Sequence, residues 1–334
     1  MDYKSAGVDL SASDAAKQKI AELAHHTHTP NVLHGPGLFG GFYQFPRQDY
    51  HLPVLVASTD GVGTKVKLAC QQQSYRGLGW DIVNHCVNDL MVGGADPLFF
   101  LDYLAFGKLA PTVVTEVVGG MAAACQEAGC ALLGGETAEM PDLYQAGEFD
   151  LAGTIVGVVE KAGIITGENI NAGDVLIGVA SSGLHTNGYT LARKIIASNP
   201  ALAGDVYRAE LGDTVAAVLL QPHRSYRKII AGLRRHEGVH GFAHVTGGGI
   251  VGNTKRLLRP RLGLAVDWQA WDWPPIFKLL QQYGDVPAEE MRRVFNLGIG
   301  LVIIVRPESV AFVQNYLQTA GEPNWIIGEV TLAP

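Results

Sequence analysis

Twelve consecutive residues join a β-prone apolar run to a turn of small residues: Val54-Leu55-Val56-Ala57-Ser58-Thr59-Asp60-Gly61-Val62-Gly63-Thr64-Lys65. Glycines let a backbone approach an anion closely, and successive N–H groups in such a turn form an anion-binding nest. The turn also carries an acid suited to a divalent cation, Asp60, and a base suited to a phosphate, Lys65. A Walker A pattern is absent, so an ordinary strand-to-helix turn is the alternative interpretation.

Length and composition predict an ordinary globular protein of two domains. The chain has 334 residues, of which 47% are hydrophobic and 17% are charged. Its formal net charge of −7 argues against a general nucleic-acid binder. No apolar run is long enough to span a membrane, and the first residues lack the layout of a secretory signal. The four cysteines show no C-x-x-C spacing, so we expect a cytoplasmic protein whose thiols are reduced.

Residues 79–96 read as a helix with two stripes. Apolar residues recur at helical spacing, and four polar residues at offsets 0, 4, 7 and 8 return to one face: Asp81, His85, Asn88 and Asp89. One interpretation is a solvated face beside a core face. The functional alternative is a carboxylate row that holds Mg²⁺ on a nucleotide, since Mg²⁺ takes one or two carboxylates together with phosphate oxygens and water.

Three predicted strands of the first half end near an acid. These acids are Asp60, Asp102 and Glu136, and the last follows Gly134-Gly135. Ligands of α/β sheets bind at the carboxyl ends of the strands, so we expect these acids to mark a site.

The second half contains two junctions rich in small and polar residues, and we place the domain boundary near residue 168. The first junction follows a strand and contains Ser181-Ser182-Gly183-Leu184-His185-Thr186-Asn187. The second is His244-Val245-Thr246-Gly247-Gly248-Gly249. Hydroxyl, imidazole and amide groups at a strand-to-helix junction suit phosphate binding, and three consecutive glycines favour a closely approaching ligand.

Five segments, taken together and in order, resemble the phosphoribosylformylglycinamidine cyclo-ligases, also called AIR synthetases: Ser58–Lys65, Asp81–Leu90, Gly134–Pro141, Ser181–Tyr189 and His244–Gly249. The resemblance covers nearly the whole chain. It implies an ATP-dependent ring closure in purine biosynthesis, in which formylglycinamidine ribonucleotide and ATP give aminoimidazole ribonucleotide, ADP and phosphate.

The resemblance also implies an architecture of two α/β domains with mixed sheets. Residues 1–168 would bind ATP and pair their sheet with that of a second copy, which forms a barrel in a homodimer. Residues 169–334 would hold the substrate beside a sheet flanked by helices. Thiamine-monophosphate kinase and selenophosphate synthetase share this architecture, so a sister phosphotransferase is the alternative function. A reactive cysteine near the N-terminus would be expected of a selenophosphate synthetase, whereas the first cysteine of this chain is Cys70. A non-catalytic nucleotide-binding regulator is a further alternative, but it would be expected to lose the metal-type acids.

Site residues are carried over from the resemblance position by position. It implies Mg²⁺ on Asp60, Asp89 and Glu136, and catalytic roles for Lys4 and Asp60. His185 and His244 are catalytic candidates because imidazole titrates near neutral pH and could move protons, and a fixed hydrogen-bonding group is the alternative interpretation of either. The implied ATP contacts are Lys4, Asp60, Gly61, Gly63, Thr64, Lys65, Asp81, Gly134, Gly135 and Glu136. The implied substrate contacts are Ser181, Ser182, His185, Asn187, Thr246, Gly247, Gly248, Gly249 and Asn253. The segment after the glycine triplet departs from the family pattern because Gly252-Asn253-Thr254-Lys255-Arg256 lacks its acid and proline, and only Asn253 is carried over.

Overall fold

The structure is a computed structural model that describes residues 10–333, with side chains from residue 16 onward. The chain divides into two compact units. The first extends to Leu90 and resumes over Ala95–Ala162, and the second combines Met91–Gly94 with the chain from Gly163 onward. No helix within residues 10–333 is both long and apolar enough to cross a membrane.

The first unit is a mixed sheet with helices. Its strands are β1 (Val32–His34), β2 (Phe42–Tyr43), β3 (Pro53–Gly61), β4 (Asp96–Phe106), β5 (Ala131–Glu139) and β6 (Phe149–Glu160), and its helices are α1 (Leu10–His25), α2 (Lys65–Gln72), α3 (Arg76–Met91) and α4 (Pro111–Ala128). The main sheet has the order β3-β6-β4-β5, and β1 pairs only with β2. Strands β4 and β5 are parallel, whereas β6 runs antiparallel to both of its neighbours.

Alternation along β4 decides which face of the sheet is covered. Phe100 and Leu104 are fully buried, whereas the intervening Tyr103 is exposed on the other face. Helix α3 lies on the buried face, where Cys86 contacts the carbonyl of Gly153. Helix α3 also approaches α4 closely at Gly79, because a Cβ atom there would lie 2.1 Å from a backbone oxygen of α4.

The acids that we expected in turns lie inside strands. Asp60 is the second-last residue of β3, and Asp102 and Glu136 lie within β4 and β5. The strands continue past the acids because β6 supplies ladder partners for β3 and β4 beyond these positions, and β4 does so for β5. Asp60 and Asp102 both pair with Gly153, so they belong to one row across the sheet.

The second unit contains a five-stranded antiparallel sheet of order β10-β12-β7-β13-β11. The strands are β7 (Val175–Ala180), β8 (Tyr207–Arg208), β9 (Asp213–Thr214), β10 (Val239–His244), β11 (Leu262–Val266), β12 (Ile299–Val305) and β13 (Asn324–Leu332), of which β8 and β9 pair separately. The helices are α5 (Tyr189–Ala197), α6 (Val215–Leu219), α7 (Arg227–Leu233), α8 (Gly249–Thr254), α9 (Pro275–Gly284), α10 (Ala288–Val294) and α11 (Val310–Thr319). Every residue of β12 is buried, as expected for a central strand. The expected α/β class with mixed sheets is confirmed.

Candidate functional site

The turn after β3 places its lysine in the core. Lys65 begins α2, and its Nζ lies 2.8 Å from Oδ1 of Asp81 on α3, with both side chains fully buried. Burial lowers the pKa of Lys65, and the Asp81 carboxylate opposes that shift. We expected both residues to contact a nucleotide. The structure pairs them with each other, because the start of α2 directs the lysine towards α3. Their contact with a nucleotide stays a prediction.

The polar stripe of α3 is largely buried and not solvated. Asp81 and Asn88 are fully buried, and His85 is 3% exposed. The solvated-face interpretation is therefore wrong. Nε2 of His85 lies 2.9 Å from Oδ2 of Asp60 and 3.6 Å from Oδ2 of Asp89, so a single imidazole lies between the two predicted metal acids.

His85 is a site residue that the family motifs did not supply, although its place in the polar stripe pointed to it. Burial by itself lowers the pKa of His85. The hydrogen bond to Asp60 and the charges of Asp89, Asp60 and Asp81 outweigh that effect, so its pKa lies above the usual value. A protonated imidazole here balances the negative charge that Asp60 and Asp89 bring together.

The donor set of this cluster fits Mg²⁺. The Asp60 and Asp89 side chains are 39% and 30% exposed, so both carboxylates remain reachable from solvent. Oxygen donors are those that Mg²⁺ prefers, and it commonly uses only one or two carboxylates. Glu136 does not join them. It lies on β5, three strand positions from β3 and so about 14 Å away at ~4.8 Å per strand, too far to share one ion.

Asp102 adds a buried carboxyl to the row. Burial chiefly, and the nearby charge of Glu136 as well, raise its pKa to about 7, although a hydrogen bond from its own backbone N–H acts in the opposite direction. Gly135 makes room for this group, since a Cβ atom there would lie 2.1 Å from Oδ1 of Asp102. Gly135 and Glu136 are themselves exposed. Lys4, another predicted ATP contact, lies outside the described residues.

In the second unit, the first junction folds back on itself. The Ser181 hydroxyl donates to the carbonyl of Gly183 at 2.9 Å, and the Ser182 N–H donates to Nε2 of His185 at 3.2 Å. His185 itself adopts a left-handed conformation with φ of 62°. A non-glycine residue held at positive φ is uncommon, and such strain is concentrated at functional sites.

The structure brings the two junctions of this unit together. Oδ1 of Asn187 lies 3.3 Å from the position that a Cβ atom of Gly247 would occupy. Nδ2 of Asn187 is buried and donates to no acceptor within residues 10–333. A buried amide donor without an acceptor is costly, which favours a ligand atom at this position.

Asn253 has a different role from the one we predicted. Its Nδ2 donates to the carbonyls of Thr246, Gly247 and Gly249 at 3.3, 3.2 and 2.9 Å. The side chain therefore braces the glycine loop and is not directed at a substrate. Gly248 and Gly249 have φ of 99° and 65°, a conformation that glycine adopts at little cost.

Two further residues of this site were not predicted. Asn296 donates to the carbonyl of Gly183 at 2.8 Å and accepts from the N–H of Gly298 at 2.9 Å, so it fixes the first junction to the start of β12. His223 lies 2.8 Å from His244, Nε2 to Nε2. No local pattern identifies either residue, because each contacts segments distant in the chain.

Comparisons with known proteins place this geometry in context. The family models described as AIR synthase related protein match the N-terminal domain at residues 50–159 and the C-terminal domain at residues 171–334. The phosphoribosylformylglycinamidine cyclo-ligase of Desulfitobacterium hafniense is 50% identical over 98% of this chain and 96% of its own length. That of Geobacillus kaustophilus is 47% identical over 98% of this chain and 95% of its own length.

Solved structures share the fold at much lower identity. Thiamine-monophosphate kinase from Stenotrophomonas maltophilia superposes with a TM-score of 0.71 at 17% identity, covering 96% of this chain and 94% of that one. The hydrogenase maturation protein HypE in complex with ATP gives a TM-score of 0.68 at 17% identity, covering 95% and 86%.

Proposed function

We infer that this chain closes the imidazole ring of aminoimidazole ribonucleotide with hydrolysis of ATP to ADP and phosphate, because it belongs to the phosphoribosylformylglycinamidine cyclo-ligase family of AIR synthase related proteins. Identity of 50% over nearly the full length of a cyclo-ligase is the observation that carries the proposal. Both domains of the family are present, so the chain has the parts that the reaction requires.

The chemistry explains why ATP is needed. An amide oxygen is a poor leaving group, and transfer of the γ-phosphoryl group converts it into a good one. An amidine nitrogen then attacks the same carbon, phosphate departs with the oxygen, and the nitrogen releases its proton. Phosphoryl transfer depends chiefly on positioning and on neutralising charge, which backbone amides and cations provide.

The first unit is the expected place for ATP and Mg²⁺. Asp60 and Asp89 would hold the metal, which when bound neutralises charge on the phosphates. The backbone N–H groups of Gly63 and Thr64 would contact the phosphates, since those of Gly61 and Val62 already donate to Oδ1 of Asp60 and to the carbonyl of Leu151. His85 keeps both acids positioned when no metal is bound, through its contacts of 2.9 and 3.6 Å.

The second unit is the expected place for the ribonucleotide. The unpartnered amide of Asn187 beside Gly247 supports this assignment, since a phosphate or hydroxyl oxygen would satisfy it. His185 and His244 are candidates for moving the proton that ring closure releases, because imidazole titrates near neutral pH.

Homodimer formation through the first unit is also part of the proposal. Strand β3 is an edge of its sheet, and Leu55 on it is 63% exposed. Tyr103 adds exposed aromatic surface on β4. An uncovered edge strand with an apolar face favours pairing with a second copy. The four cysteines are free, which supports a reducing compartment such as the cytoplasm.

Coupled ADP release measured with formylglycinamidine ribonucleotide tests the activity. We expect release to require this substrate, and Asp89→Asn to lower the rate by about a hundredfold or more, since a charge-stabilising group is lost. The exposed Asp205→Asn is the matched control and is expected to leave the rate unchanged. Release with thiamine monophosphate or selenide, but not with the ribonucleotide, would establish the sister phosphotransferase function instead.

A further inference from the structure

Three buried imidazoles form a cluster in the second unit. His185 follows β7, His223 precedes α7, and His244 ends β10. One nitrogen from each lies within 4.8 Å of those of the other two, and no side chain of the three is more than 4% exposed. His223 is the member that no sequence motif predicts.

The geometry is that of a hydrogen-bonded chain and not of a metal centre. Nε2 of His223 lies 2.8 Å from Nε2 of His244. Two imidazoles on one tetrahedral zinc ion would hold their nitrogens about 3.3 Å apart, given Zn–N bonds of ~2.0–2.1 Å. The rings of His185 and His223 also stack, with centroids 4.0 Å apart and planes tilted by 21°. Their in-plane lone pairs therefore run side by side and do not converge on one ion.

Counting protons links these side chains. One hydrogen lies between the two Nε2 atoms, and Nδ1 of His223 faces the Thr186 hydroxyl at 3.3 Å. In the first arrangement, neutral His223 carries its proton on Nε2 and donates it in a hydrogen bond to Nε2 of His244. His244 then carries its own proton on Nδ1, and the Thr186 hydroxyl donates to Nδ1 of His223. In the second arrangement, His244 donates from Nε2 to Nε2 of His223, so Nδ1 of His244 has a lone pair. His223 is then protonated on Nδ1 and donates to the Thr186 hydroxyl oxygen. The two arrangements give His244 opposite properties at Nδ1.

We infer that His223 is a positioning residue that fixes which ring nitrogen of His244 carries the proton. This inference rests on the proposed function, in which His244 handles the proton released by the attacking nitrogen. Nε2 of His244 is engaged with His223, so only Nδ1 can accept that proton. The proposed function therefore requires the second arrangement, in which His244 donates from Nε2 to His223. Thr186 completes the chain by accepting from Nδ1 of His223.

Nitrogen-15 NMR of the histidine-labelled wild-type chain tests the inference directly. We expect a scalar coupling across the hydrogen bond between Nε2 of His223 and Nε2 of His244, with the proton on the His244 side. Each histidine is replaced in turn, and the signals missing from each variant assign the resonances of the replaced residue. A missing coupling, or a His244 ring that exchanges between both tautomers, overturns the inference.

The variant His223→Phe keeps a ring that stacks on His185 but cannot form a hydrogen bond. We expect the tautomers of His244 to redistribute and kcat to fall about tenfold or more, because a proton-transfer group is no longer held in one form. Both KM values should stay within about twofold, since ground-state binding is untouched. The conservative His223→Gln, which can still accept from His244, should recover most of kcat.

A matched substitution separates positioning from packing. His236 stacks on Phe312 in the same unit, with centroids 4.3 Å apart, and His236→Phe should change neither kcat nor the His244 signals. Unchanged His244 signals in His223→Phe would overturn the inference, as would unchanged kcat. If His223→Phe does not fold, the wild-type coupling decides. If the wild-type chain closes no ring, the proposed function fails, and the tautomer of His244 in the two variants still decides the inference.

Discussion

Two lysines on the same helix form ion pairs that differ only in burial, and their removal should have very different effects. Lys65 lies 2.8 Å from Asp81 with neither side chain exposed, whereas Lys67 lies 2.8 Å from Glu148 with side chains 50% and 38% exposed. We expect Lys65→Met to lower the free energy of unfolding by about 3–5 kcal/mol, because it leaves a buried carboxylate without its charge partner. Lys67→Met should cost about 0–1 kcal/mol, since water screens the exposed pair.

The double variant Lys65→Met/Asp81→Leu distinguishes the charge effect from lost packing. Leucine has a branched shape similar to that of aspartate, and removing both charges together avoids the desolvation penalty. We therefore expect the double variant to recover most of the stability, within about 1–2 kcal/mol of the wild type or above it. Urea unfolding followed by circular dichroism measures each value, and the double-mutant cycle gives the coupling energy.

Equal effects of Lys65→Met and Lys67→Met would refute this reasoning. Calorimetric titration with ATP adds a functional readout. If the double variant is as stable as the wild type but no longer binds ATP, then Lys65, Asp81 or both contact the nucleotide in the bound state, as the sequence first predicted. Unchanged ATP affinity in that variant assigns Lys65 a purely structural role.

Three other predictions follow from single features. Burial raises the pKa of Asp102 to about 7, so its contribution to folding is lost as the pH rises from about 4 to about 7. In EDTA at pH 8, the free energy of unfolding of Asp102→Asn should exceed that of the wild type by up to about 4 kcal/mol. Parallel curves of stability against pH for the two proteins would contradict this prediction. Substrate labelled with ¹⁸O at the reacting carbonyl should transfer the label to inorganic phosphate by mass spectrometry, and label in water would exclude the activated-amide route. Leu55→Glu on the edge strand β3 should shift sedimentation at micromolar concentration from dimer to monomer, and a wild-type monomer would remove the dimer proposal.

Much of the fold follows from local patterns. Apolar residues at helical spacing predicted α3, and a continuous apolar run predicted β3. The small-residue segments after β3, β7 and β10 identified where ligands are expected. Each of these signals lies within about twenty residues, which is the range over which helix and strand periodicity act.

The sequence by itself thus determined the α/β class, the order of the main elements and the family, because all three depend on local patterns and motif order. Only the tertiary structure decided the environment of each polar residue. It buried most of the polar stripe of α3, where His85 meets Asp60 and Asp89, and it paired the buried Lys65 with Asp81. It also stacked His223 on His185 and brought its Nε2 within 2.8 Å of Nε2 of His244, although the three residues come from separate segments. Burial and pairing of charges depend on contacts between distant segments, and no periodicity within one segment encodes them.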